Sequence, residues 1–355
     1  HITDPHIVRK IIEKREDEIR PCVGANYCLD RIYQGGSAYC IHNAATGREL
    51  SMPQIIEAAE TRKKVVIVGS GPAGMEAARV AGERGHEVVV YEAAPNPGGQ
   101  IRLTAQNERR REMISIIEWR MAECTRLGVT FHFNTWAEAD TIAAENPDVV
   151  IIATGGMPDT EVLSKGNDLV VSTWDIISGD VKPGTNVLVY DDAGDHAGLQ
   201  AAELIAKSGA KVEIMTPDRS FAPEVMAMNL VPYMRSMQRL DTTFTVTYRL
   251  EAVEKQGNQL IAHVGSDYGG VAKQRIVDQI VVNHGTIPLD DIYFDLKPGS
   301  SNHGEMSHDQ LLAGQPQAVV RNPDGTYQLF RIGDAVSARN THAAIYDALR
   351  LLKDV

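Results

Sequence analysis

The sequence predicts an α/β protein with two Rossmann-like domains of parallel sheet, one inserted in the other, preceded by a cysteine-rich loop segment. First, an apolar run over 65–68 leads directly into the glycine-rich segment 69–74, Gly-Ser-Gly-Pro-Ala-Gly. Second, the same strand–helix–strand order begins again at Val187, which indicates a pseudo-repeat. Third, residues 280–285 repeat the strand-then-glycine ending of residues 152–155, and such endings let the chain cross between two domains.

The glycine-rich segment matches the dinucleotide-binding fingerprint G-x-G-x-x-G. Gly69 allows a sharp turn, Gly71 lets backbone N–H groups approach a pyrophosphate, and Gly74 lets the helix pack closely on the strand. Glu92, which closes the next apolar run, is placed to accept hydrogen bonds from a ribose. The match covers a strand–helix–strand unit of about thirty residues, so we predict nucleotide binding. The alternative is a glycine-rich turn in an unrelated α/β domain.

Composition argues against several other classes of protein. The chain has 355 residues and a formal net charge of −12, which disfavours nucleic acid or an anionic membrane as its main partner. It has no apolar stretch of membrane-spanning length and no signal peptide. Four cysteines in a long acidic chain do not make a disulfide framework, which predicts a reducing, cytoplasmic setting. Because the chain begins with His1 rather than methionine, we expect a piece of a longer protein.

Periodicity and turn residues predict the remaining elements. Isoleucines interleaved with charges predict a helix over 1–20 that ends at Pro21, and the glycines of 22–50 are typical of a loop. Cys124 falls on a predicted amphipathic helix and is expected in the core. The other predicted elements are helices over 108–127, 197–208 and 341–353, a strand over 149–152, and antiparallel strands within 244–264.

Taken together, these motifs resemble a known family. The glycine segment, together with residues 98–100, 153–155 and 332–335, looks like the two-domain flavoprotein disulfide-reductase fold. Residues 2–6 and 20–28 resemble the end of the TIM barrel and the iron–sulfur loop of trimethylamine dehydrogenase and 2,4-dienoyl-CoA reductase-like NADH:flavin oxidoreductases. Within that family, the N-methylproline demethylase-type members look closest.

The resemblance implies three parts. Residues 1–61 would be the end of a TIM barrel plus the iron–sulfur-type loop. Residues 62–158 and 285–355 would form a domain that binds FAD, or ADP in its place. Residues 159–284 would be an inserted, degenerate NAD(P)-binding-like domain. The FMN barrel of such enzymes is lacking, so the chain looks like the C-terminal half of a larger enzyme, and its catalytic residues are unknown.

The resemblance also assigns cofactor contacts. The glycine segment would face the pyrophosphate, Gly99 and Gln100 would line the FAD path, and Asp334 would bind the ribitol–phosphate region. His342 and Ala343 would lie near the flavin pyrimidine edge, where the helix dipole favours negative charge. The alternatives are that Asp334 caps the last helix and that His342 is only packed or at the surface. The full predicted set is Gly69, Gly71, Pro72, Ala73, Gly74, Glu92, Gly99, Gln100, Thr154, Gly155, Gly333, Asp334, His342 and Ala343.

Cys22, Cys28 and Cys40 stand where the family ligates an iron–sulfur cluster. The family has a further cysteine three residues after the first, and here that residue is Ala25. Three thiolates suit a [3Fe–4S] cluster, or a [4Fe–4S] cluster with one exchangeable or non-cysteine-ligated iron. The alternative is that the three cysteines are simply buried in a degenerate loop.

The second nucleotide site is predicted to be unfit for NAD(P)H. When the second unit is aligned on Gly198, the first two fingerprint glycines become Ala193 and Asp195. A carboxylate at this position repels a pyrophosphate, and Asp191 and Asp192 add to the repulsion. A second reading treats Asp195 and His196 as redox or proton-transfer groups.

The resemblance therefore implies the C-terminal, flavin-binding and electron-transfer part of an oxidative N-demethylase for a methylated amine of the trimethylamine or N-methylproline type. Electrons would leave to an electron-transfer flavoprotein or a similar acceptor, and the full enzyme would be a homo-oligomer. The alternatives are an NAD(P)H-dependent enoate reductase of the 2,4-dienoyl-CoA type and a non-catalytic module that holds ADP or FAD.

Overall fold

The computed structural model describes residues 1–355 and divides into two compact units. Unit 1 consists of His1–Ala105, Arg109–Met157 and Pro288–Val355. Unit 2 consists of Gln106–Glu108 and Pro158–Ile287. Each unit contains a five-stranded parallel sheet with helices between its strands, so the predicted Rossmann-like α/β fold is confirmed. None of the helices has the length and apolar character that a membrane span requires.

Helices and strands alternate along much of the chain, with the following bounds. The α-helices are α1 (Ile7–Ile12), α2 (Tyr27–Tyr33), α3 (Pro72–Glu83), α4 (Gln100–Thr104), α5 (Ser115–Arg126), α6 (Ala139–Ala144), α7 (Thr173–Ser178), α8 (His196–Lys207), α9 (Ala227–Met237), α10 (Asp291–Leu296), α11 (His308–Ala313) and α12 (Thr341–Leu352). The strands are β1 (Lys64–Val68), β2 (Glu87–Tyr91), β3 (Thr130–His132), β4 (Val149–Ile152), β5 (Gly156–Pro158), β6 (Val171–Ser172), β7 (Asn186–Asp191), β8 (Lys211–Met215), β9 (Thr242–Thr245), β10 (Arg249–Gln256), β11 (Gln259–Gly265), β12 (Lys273–Val277), β13 (Gln279–Asn283), β14 (Thr286–Pro288) and β15 (Gln328–Arg331). Short 3-10 helices cover Glu16–Glu18, Glu108–Ile114, Asn167–Leu169, Lys297–Gly299 and Gly333–Ala335.

The sheet of unit 1 has the strand order β15-β4-β1-β2-β3, with every neighbouring pair parallel. Val65 of β1 lies opposite Val88 of β2 and Val149 of β4. A parallel sheet is covered on both faces, which explains why these strands are apolar throughout. Val65 and its neighbours on one face pack with α3, α5 and α12, whereas Val66 on the other face packs with residues of α6 and α10.

The N-terminal residues differ from the prediction. The expected helix over 1–20 is reduced to α1 and a 3-10 turn, and neither has a buried residue. Lys14 adopts a left-handed conformation with a φ of 56°, which ends the helix early. The predicted loop over 22–50 contains α2. Because α1 buries no residue, tertiary packing within this structure does not stabilise a longer helix.

Unit 2 has a parallel sheet in the order β6-β13-β7-β8-β9 and a separate antiparallel sheet, β10-β11-β12. Its core joins the two sheets through buried residues such as Leu188, Leu250 and Val264. The predicted antiparallel strands within 244–264 are the β10–β11 hairpin, which turns at Gly257. The start of that range belongs to β9, which is parallel to β8.

Candidate cofactor site

Segments that are far apart in the sequence meet at the carboxyl edge of the unit 1 sheet. β1 leads into the glycine segment, β4 leads into Ala153, and β15 leads into Gly333. Gly98 donates its N–H to the carbonyl of Ser70 at 2.9 Å, so the loop that precedes α4 lies against the glycine segment. In α/β folds, ligands bind in the crevice outside this edge of the sheet.

The three fingerprint glycines have different surroundings. Gly69 has a φ of 99°, and a methyl group there would overlap the backbone of Ala153. A methyl group on Gly74 would overlap the carbonyl oxygen of Gly69. A methyl group on Gly71 would meet no atom within 4 Å. Gly71 therefore borders open space at the start of α3, where the free N–H groups of a helix suit a phosphate. This cradle fits the pyrophosphate of a dinucleotide.

Glu92 lies beside the cradle and is oriented by the chain itself. The backbone N–H and the hydroxyl of Ser70 donate to one carboxylate oxygen at 2.8 and 2.6 Å. The backbone N–H of Ala94 donates to the other oxygen at 2.8 Å. A carboxylate has about four acceptor sites, so the half-buried Glu92 keeps capacity for the hydroxyls of a ribose.

Gln100 and Asp334 are brought together at the same edge. The Nε2 of Gln100 donates to Oδ2 of Asp334 at 2.9 Å, and the N–H of Arg339 donates to the other oxygen at 3.2 Å. Burial raises the pKa of Asp334. The alternative in which Asp334 caps the last helix is wrong, because Asn340 caps α12 by accepting from the N–H of Ala343 at 2.9 Å.

Gly99 and Gly333 allow the loops to approach the start of α3. Gly99 has a φ of 48°, and a methyl group there would lie 3.4 Å from the Cα of Gly71. Gly333 has a φ of 63°, and a methyl group there would lie 2.9 Å from the Cβ of Ala73. Ala73 and Gly333, both predicted cofactor contacts, are thus close together although about 260 residues separate them in the chain.

Thr154 and Gly155 hydrogen-bond to Leu289, and a methyl group on Gly155 would meet no atom within 4 Å. The Thr154 hydroxyl donates to the carbonyl of Leu289, and the N–H of Leu289 donates to the carbonyl of Gly155 at 3.0 Å. Gly155 has a φ of 75°, as expected at a sharp turn after a strand. These bonds hold the segment that follows β4, and the predicted cofactor role of the two residues stays a prediction.

His342 is buried in an aromatic stack at the start of α12. Its ring lies 4.8 Å from the ring of Tyr27, 5.8 Å from that of Tyr39 and 6.3 Å from that of Tyr346, measured between centroids. Nδ1 lies 2.9 Å from the carbonyl oxygen of Cys40, and Nε2 is buried without a hydrogen-bond partner. Burial lowers the pKa of His342 to about 4, so the ring is neutral at neutral pH.

The cysteine loop lies in unit 1, and its three thiols are free. Cys22 is exposed, Cys28 is half-buried, and Cys40 is buried with its Sγ 3.7 Å from the hydroxyl oxygen of Thr3. Ala25, at the position of the missing fourth cysteine, is 8% exposed and belongs to the core. Cys124, predicted in the core, is fully buried there.

The donor chemistry of this loop fits an iron–sulfur cluster that lacks one cysteine. No group of three or more histidine, cysteine or carboxylate side chains converges on one point to hold a single metal ion. A cluster is a different case, because each thiolate binds a different iron and the ligands lie further apart. Three thiols in one segment and the unpartnered Nε2 atoms of His42 and His342 are the donors that the loop region offers.

A buried ion cluster that involves α3 and α5 was not predicted from the sequence. Glu76 of α3 accepts from Arg79 at 2.8 and 3.1 Å and from Arg120 of α5 at 2.8 Å. Arg120 also donates to the carbonyl of His42 at 2.9 Å and is fully buried. The cluster joins the fingerprint helix to α5 and to the N-terminal residues. Two charged residues, Glu76 and Arg79, among the small and apolar buried residues of α3 were the available signal.

Unit 2 repeats the fold of unit 1 but fills its own phosphate position. Asp191, at the end of β7, is 1% exposed, and a methyl group on Gly198 would overlap its carboxylate. The carboxylate accepts from the N–H of Gly194 at 2.9 Å and from Asn283 at 2.8 Å. Asp195 accepts from Asn283 at 2.9 Å. Burial, with the nearby charge of Asp195, raises the pKa of Asp191 to about 7.

Asp195 is also the N-cap of α8, the position that Gly71 has before α3. Its side chain accepts from the N–H of Ala197 at 2.8 Å, which occupies a donor that a phosphate would need. Asp192 lies 2.6 Å from Nδ1 of His284. The residues of this loop are therefore bonded to one another, as expected for a site that does not take an anion.

We expect the substitution Asp191→Asn to stabilise unit 2 as the pH rises. The folded-state pKa of about 7 lies above the ordinary value of 3.8, so wild-type stability falls as the pH rises from 3.8 through 7. The amide carries no charge and escapes this loss, which for a rise in pKa from 3.8 to about 7 amounts to about 4 kcal/mol at pH 8. Calorimetry at pH 5 and pH 8 measures the difference. The matched control is Asp180→Asn at an exposed site, where we expect the stability difference between variant and wild type to be the same at pH 5 and pH 8. The same stability difference at both pH values for Asp191→Asn would contradict the prediction.

Comparison with known proteins agrees with this architecture. Residues 42–189 match the family model for pyridine nucleotide-disulphide oxidoreductases. The chain is 79% identical over its whole length to a protein of Rhizobium meliloti (strain 1021) described as "Probable N-methylproline demethylase", of which it covers 52%. It is 45% identical to an N,N-dimethylglycine/sarcosine dehydrogenase of Chromohalobacter salexigens, with 100% of this chain and 53% of that protein covered.

Among solved structures, histamine dehydrogenase from Rhizobium sp. 4-9 superposes with a TM-score of 0.84 at 23% identity, covering 99% of this chain and 50% of that one. This likeness supports the fold. The chain spans about half the length of the curated relatives that it matches. By these matches the chain belongs to the trimethylamine dehydrogenase-like NADH:flavin oxidoreductases, a family of flavin-dependent oxidoreductases, and it corresponds to their C-terminal part.

Proposed function

We propose that this chain is the C-terminal, flavin-binding and electron-transfer part of an oxidative N-demethylase that acts on a methylated amine. The observation that carries the proposal is the 79% identity, over the whole chain, to a relative described as a probable N-methylproline demethylase. The second relative, named for dimethylglycine and sarcosine, also acts on an N-methylated amino acid by its name. The substrates named for the two relatives share a methylated amine on the carbon atom that bears a carboxylate.

The proposed organisation follows the two units. Unit 2 would be an insertion in unit 1, and the flanking of Pro158–Ile287 by segments of unit 1 in the sequence supports this. The cysteine-rich segment precedes the glycine fingerprint and packs within unit 1. An FMN-containing barrel would be supplied by residues outside this chain, and the methyl group would be oxidised there.

Unit 1 is proposed to bind FAD, or ADP in its place. The open cradle at Gly71 and the start of α3 would take the pyrophosphate, and the preoriented Glu92 would take the adenosine ribose. The Gln100–Asp334 pair supports the longer ligand, because the pair lies at the same edge and offers polar groups for a ribitol chain. FAD, when bound, supplies reversible acceptance of electrons, and the protein supplies its binding and orientation.

In the full reaction, the substrate would lose two electrons and a proton from its N-methyl group to the flavin of the barrel and become an iminium ion. Water adds to the iminium carbon, and the C–N bond then breaks to release formaldehyde and the demethylated amine. An iron–sulfur cluster at Cys22, Cys28 and Cys40 is proposed as part of the full enzyme. No residue of this chain is assigned to substrate oxidation.

An electron-transfer flavoprotein or a similar protein is proposed as the acceptor. The bonded carboxylates of Asp191 and Asp195 support this choice, because they stand where a nicotinamide dinucleotide would place its phosphates. The same observation disfavours the alternative of an NAD(P)H-dependent enoate reductase. A non-catalytic ADP- or FAD-holding module is the remaining alternative.

Flavin reduction in the full-length enzyme tests the proposal. We expect anaerobic addition of N-methylproline or sarcosine to bleach the flavin absorbance and release formaldehyde, and we expect NADH and NADPH to leave the flavin oxidised. Mass spectrometry of the ligand released from this chain should identify FAD. Bleaching by NADPH would favour the enoate reductase. Release of ADP, with flavin that no amine reduces, would favour the non-catalytic module.

A further inference from the structure

The ring of His342 has an arrangement that packing alone does not require. It is 5% exposed, and its Nε2 makes no hydrogen bond. A buried polar atom without a partner destabilises the fold, because it loses its hydrogen bonds to water and gains none. Such an atom calls for a ligand or another explanation.

The tautomer of this ring follows from its one hydrogen bond. The carbonyl oxygen of Cys40 can only accept, so Nδ1 of His342 must carry the proton and donate it. Nε2 then holds the free lone pair. Donation of one ring N–H to a backbone carbonyl is how proteins commonly orient a histidine that binds a metal through its other nitrogen.

The ring also lies beside the loop that lacks a donor. It stacks on Tyr27, which adjoins Cys28, and on Tyr39, which adjoins Cys40. Its hydrogen bond reaches the backbone of Cys40 itself. The position of the fourth family cysteine is Ala25, whose methyl group cannot bind iron.

We infer that Nε2 of His342 is the fourth ligand of an iron–sulfur cluster whose other ligands are Cys22, Cys28 and Cys40. The inference rests on the cluster included in the proposed function. Nε2 donates its lone pair to one iron, the proton stays on Nδ1, and no group leaves. Imidazole in place of thiolate removes one negative charge from the ligand set, which raises the reduction potential, as histidine ligands do in other clusters.

His42 provides a matched control. It is also fully buried with Nε2 unpartnered, and its Nδ1 lies 3.0 Å from the carbonyl oxygen of Pro21. Its ring, however, packs edge-on against Trp119 of α5 rather than on the residues next to Cys28 and Cys40. The Pro21 carbonyl adjoins Cys22, so His42 lies next to one cysteine, whereas His342 stacks on the neighbours of two, Cys28 and Cys40; we therefore assign the ligand to His342.

The test is pulsed EPR of the full-length enzyme, reduced with dithionite and labelled with ¹⁵N-histidine. We expect a nitrogen coupling of a directly bound imidazole that changes with the label, and about four irons per chain. His342→Ala should lose the coupling and retain about three irons. His342→Cys should lose the coupling, retain about four irons and have a lower potential. His42→Ala should keep the coupling.

Two results would overturn the assignment. One is a label-independent spectrum from a cluster that contains about four irons. The other is a coupling that survives in His342→Ala or disappears in His42→Ala. The labelled wild-type enzyme decides whether any histidine binds the cluster, and His342→Cys, which keeps a donor at the same position, decides which histidine it is even where His342→Ala does not fold. These readouts are separate from the proposed function, because reduction of the flavin by the amine is measured independently of the cluster ligand.

Discussion

Replacing Gly74 by alanine is expected to destabilise unit 1 by about 3 kcal/mol or more. The added methyl group would overlap the carbonyl oxygen of Gly69, which is backbone and cannot rotate away as a flexible side chain would. The start of α3 would have to move off β1, and the phosphate cradle would be lost with it. Urea unfolding and FAD binding to the ligand-free chain measure the two effects, and both should fall together.

Gly71→Ala is the matched control within the same fingerprint. Gly71 has a φ of −68°, which alanine adopts without strain, and its methyl group would meet no protein atom within 4 Å. We expect the free energy of unfolding to change by less than about 1 kcal/mol. Binding of FAD should nevertheless weaken by roughly tenfold or more, since the methyl group stands in the approach to the pyrophosphate. Equal affinities in wild type and Gly71→Ala would show that the nucleotide does not lie in this cradle.

Replacing Glu76 by glutamine is expected to cost about 3–5 kcal/mol. The substitution removes the charge that compensates the buried guanidinium groups of Arg79 and Arg120, and it leaves their positive charges close together. Because Arg120 also donates to the carbonyl of His42, the N-terminal residues should loosen with α5. Hydrogen exchange at residues 40–45 and the urea midpoint are the measurements.

The contribution of Glu76 also depends on pH. Burial opposes ionisation, but the guanidinium groups of Arg79 and Arg120 outweigh it and hold the pKa of Glu76 well below its ordinary value of 4.5. A depressed folded-state pKa means that the stabilisation is present above about pH 4.5 and is lost as the pH falls below it. The stability difference between wild type and Glu76→Gln should therefore shrink on acidification from pH 6 towards pH 3.

Glu305→Gln is the control for the ion cluster. Glu305 pairs with Arg321 at 2.7 Å, but both side chains are more than half exposed, at 51% and 58%. An exposed pair contributes at most about 1 kcal/mol, so this variant should unfold close to wild type. A loss in Glu305→Gln as large as that in Glu76→Gln would contradict the role given to burial.

Local sequence patterns predicted the main elements because each pattern expresses a local requirement. The apolar runs that became β1 and β4 are continuous, as strands covered on both faces must be. Gly69 and Gly74 are glycines because neighbouring backbone leaves no room for a methyl group. The carboxylates at the fingerprint position of the second unit could likewise be read from the sequence. In the structure, the carboxylate of Asp191 occupies the space next to Gly198.

Other features depend on contacts across the chain, and local patterns did not predict them correctly. The isoleucines of residues 1–20 have helical spacing, but helix length depends on a buried face, and α1 has none here. Asp334 has the residue type of a helix cap, yet it pairs with Gln100, and Asn340 caps α12. The Glu76–Arg120 pair joins residues 44 positions apart, and no local pattern marks such a pair.

The sequence by itself therefore determined the class of fold, the position of the nucleotide fingerprint and the loss of that fingerprint in the second unit. These depend on residue type at fixed spacing within one strand–turn–helix segment, where chain connectivity sets the geometry. Only the tertiary structure decided that Gln100 meets Asp334 and that His342 lies against the cysteine loop with a free nitrogen. Such pairs are decided by packing of distant segments, because burial and hydrogen-bond satisfaction are properties of the folded whole.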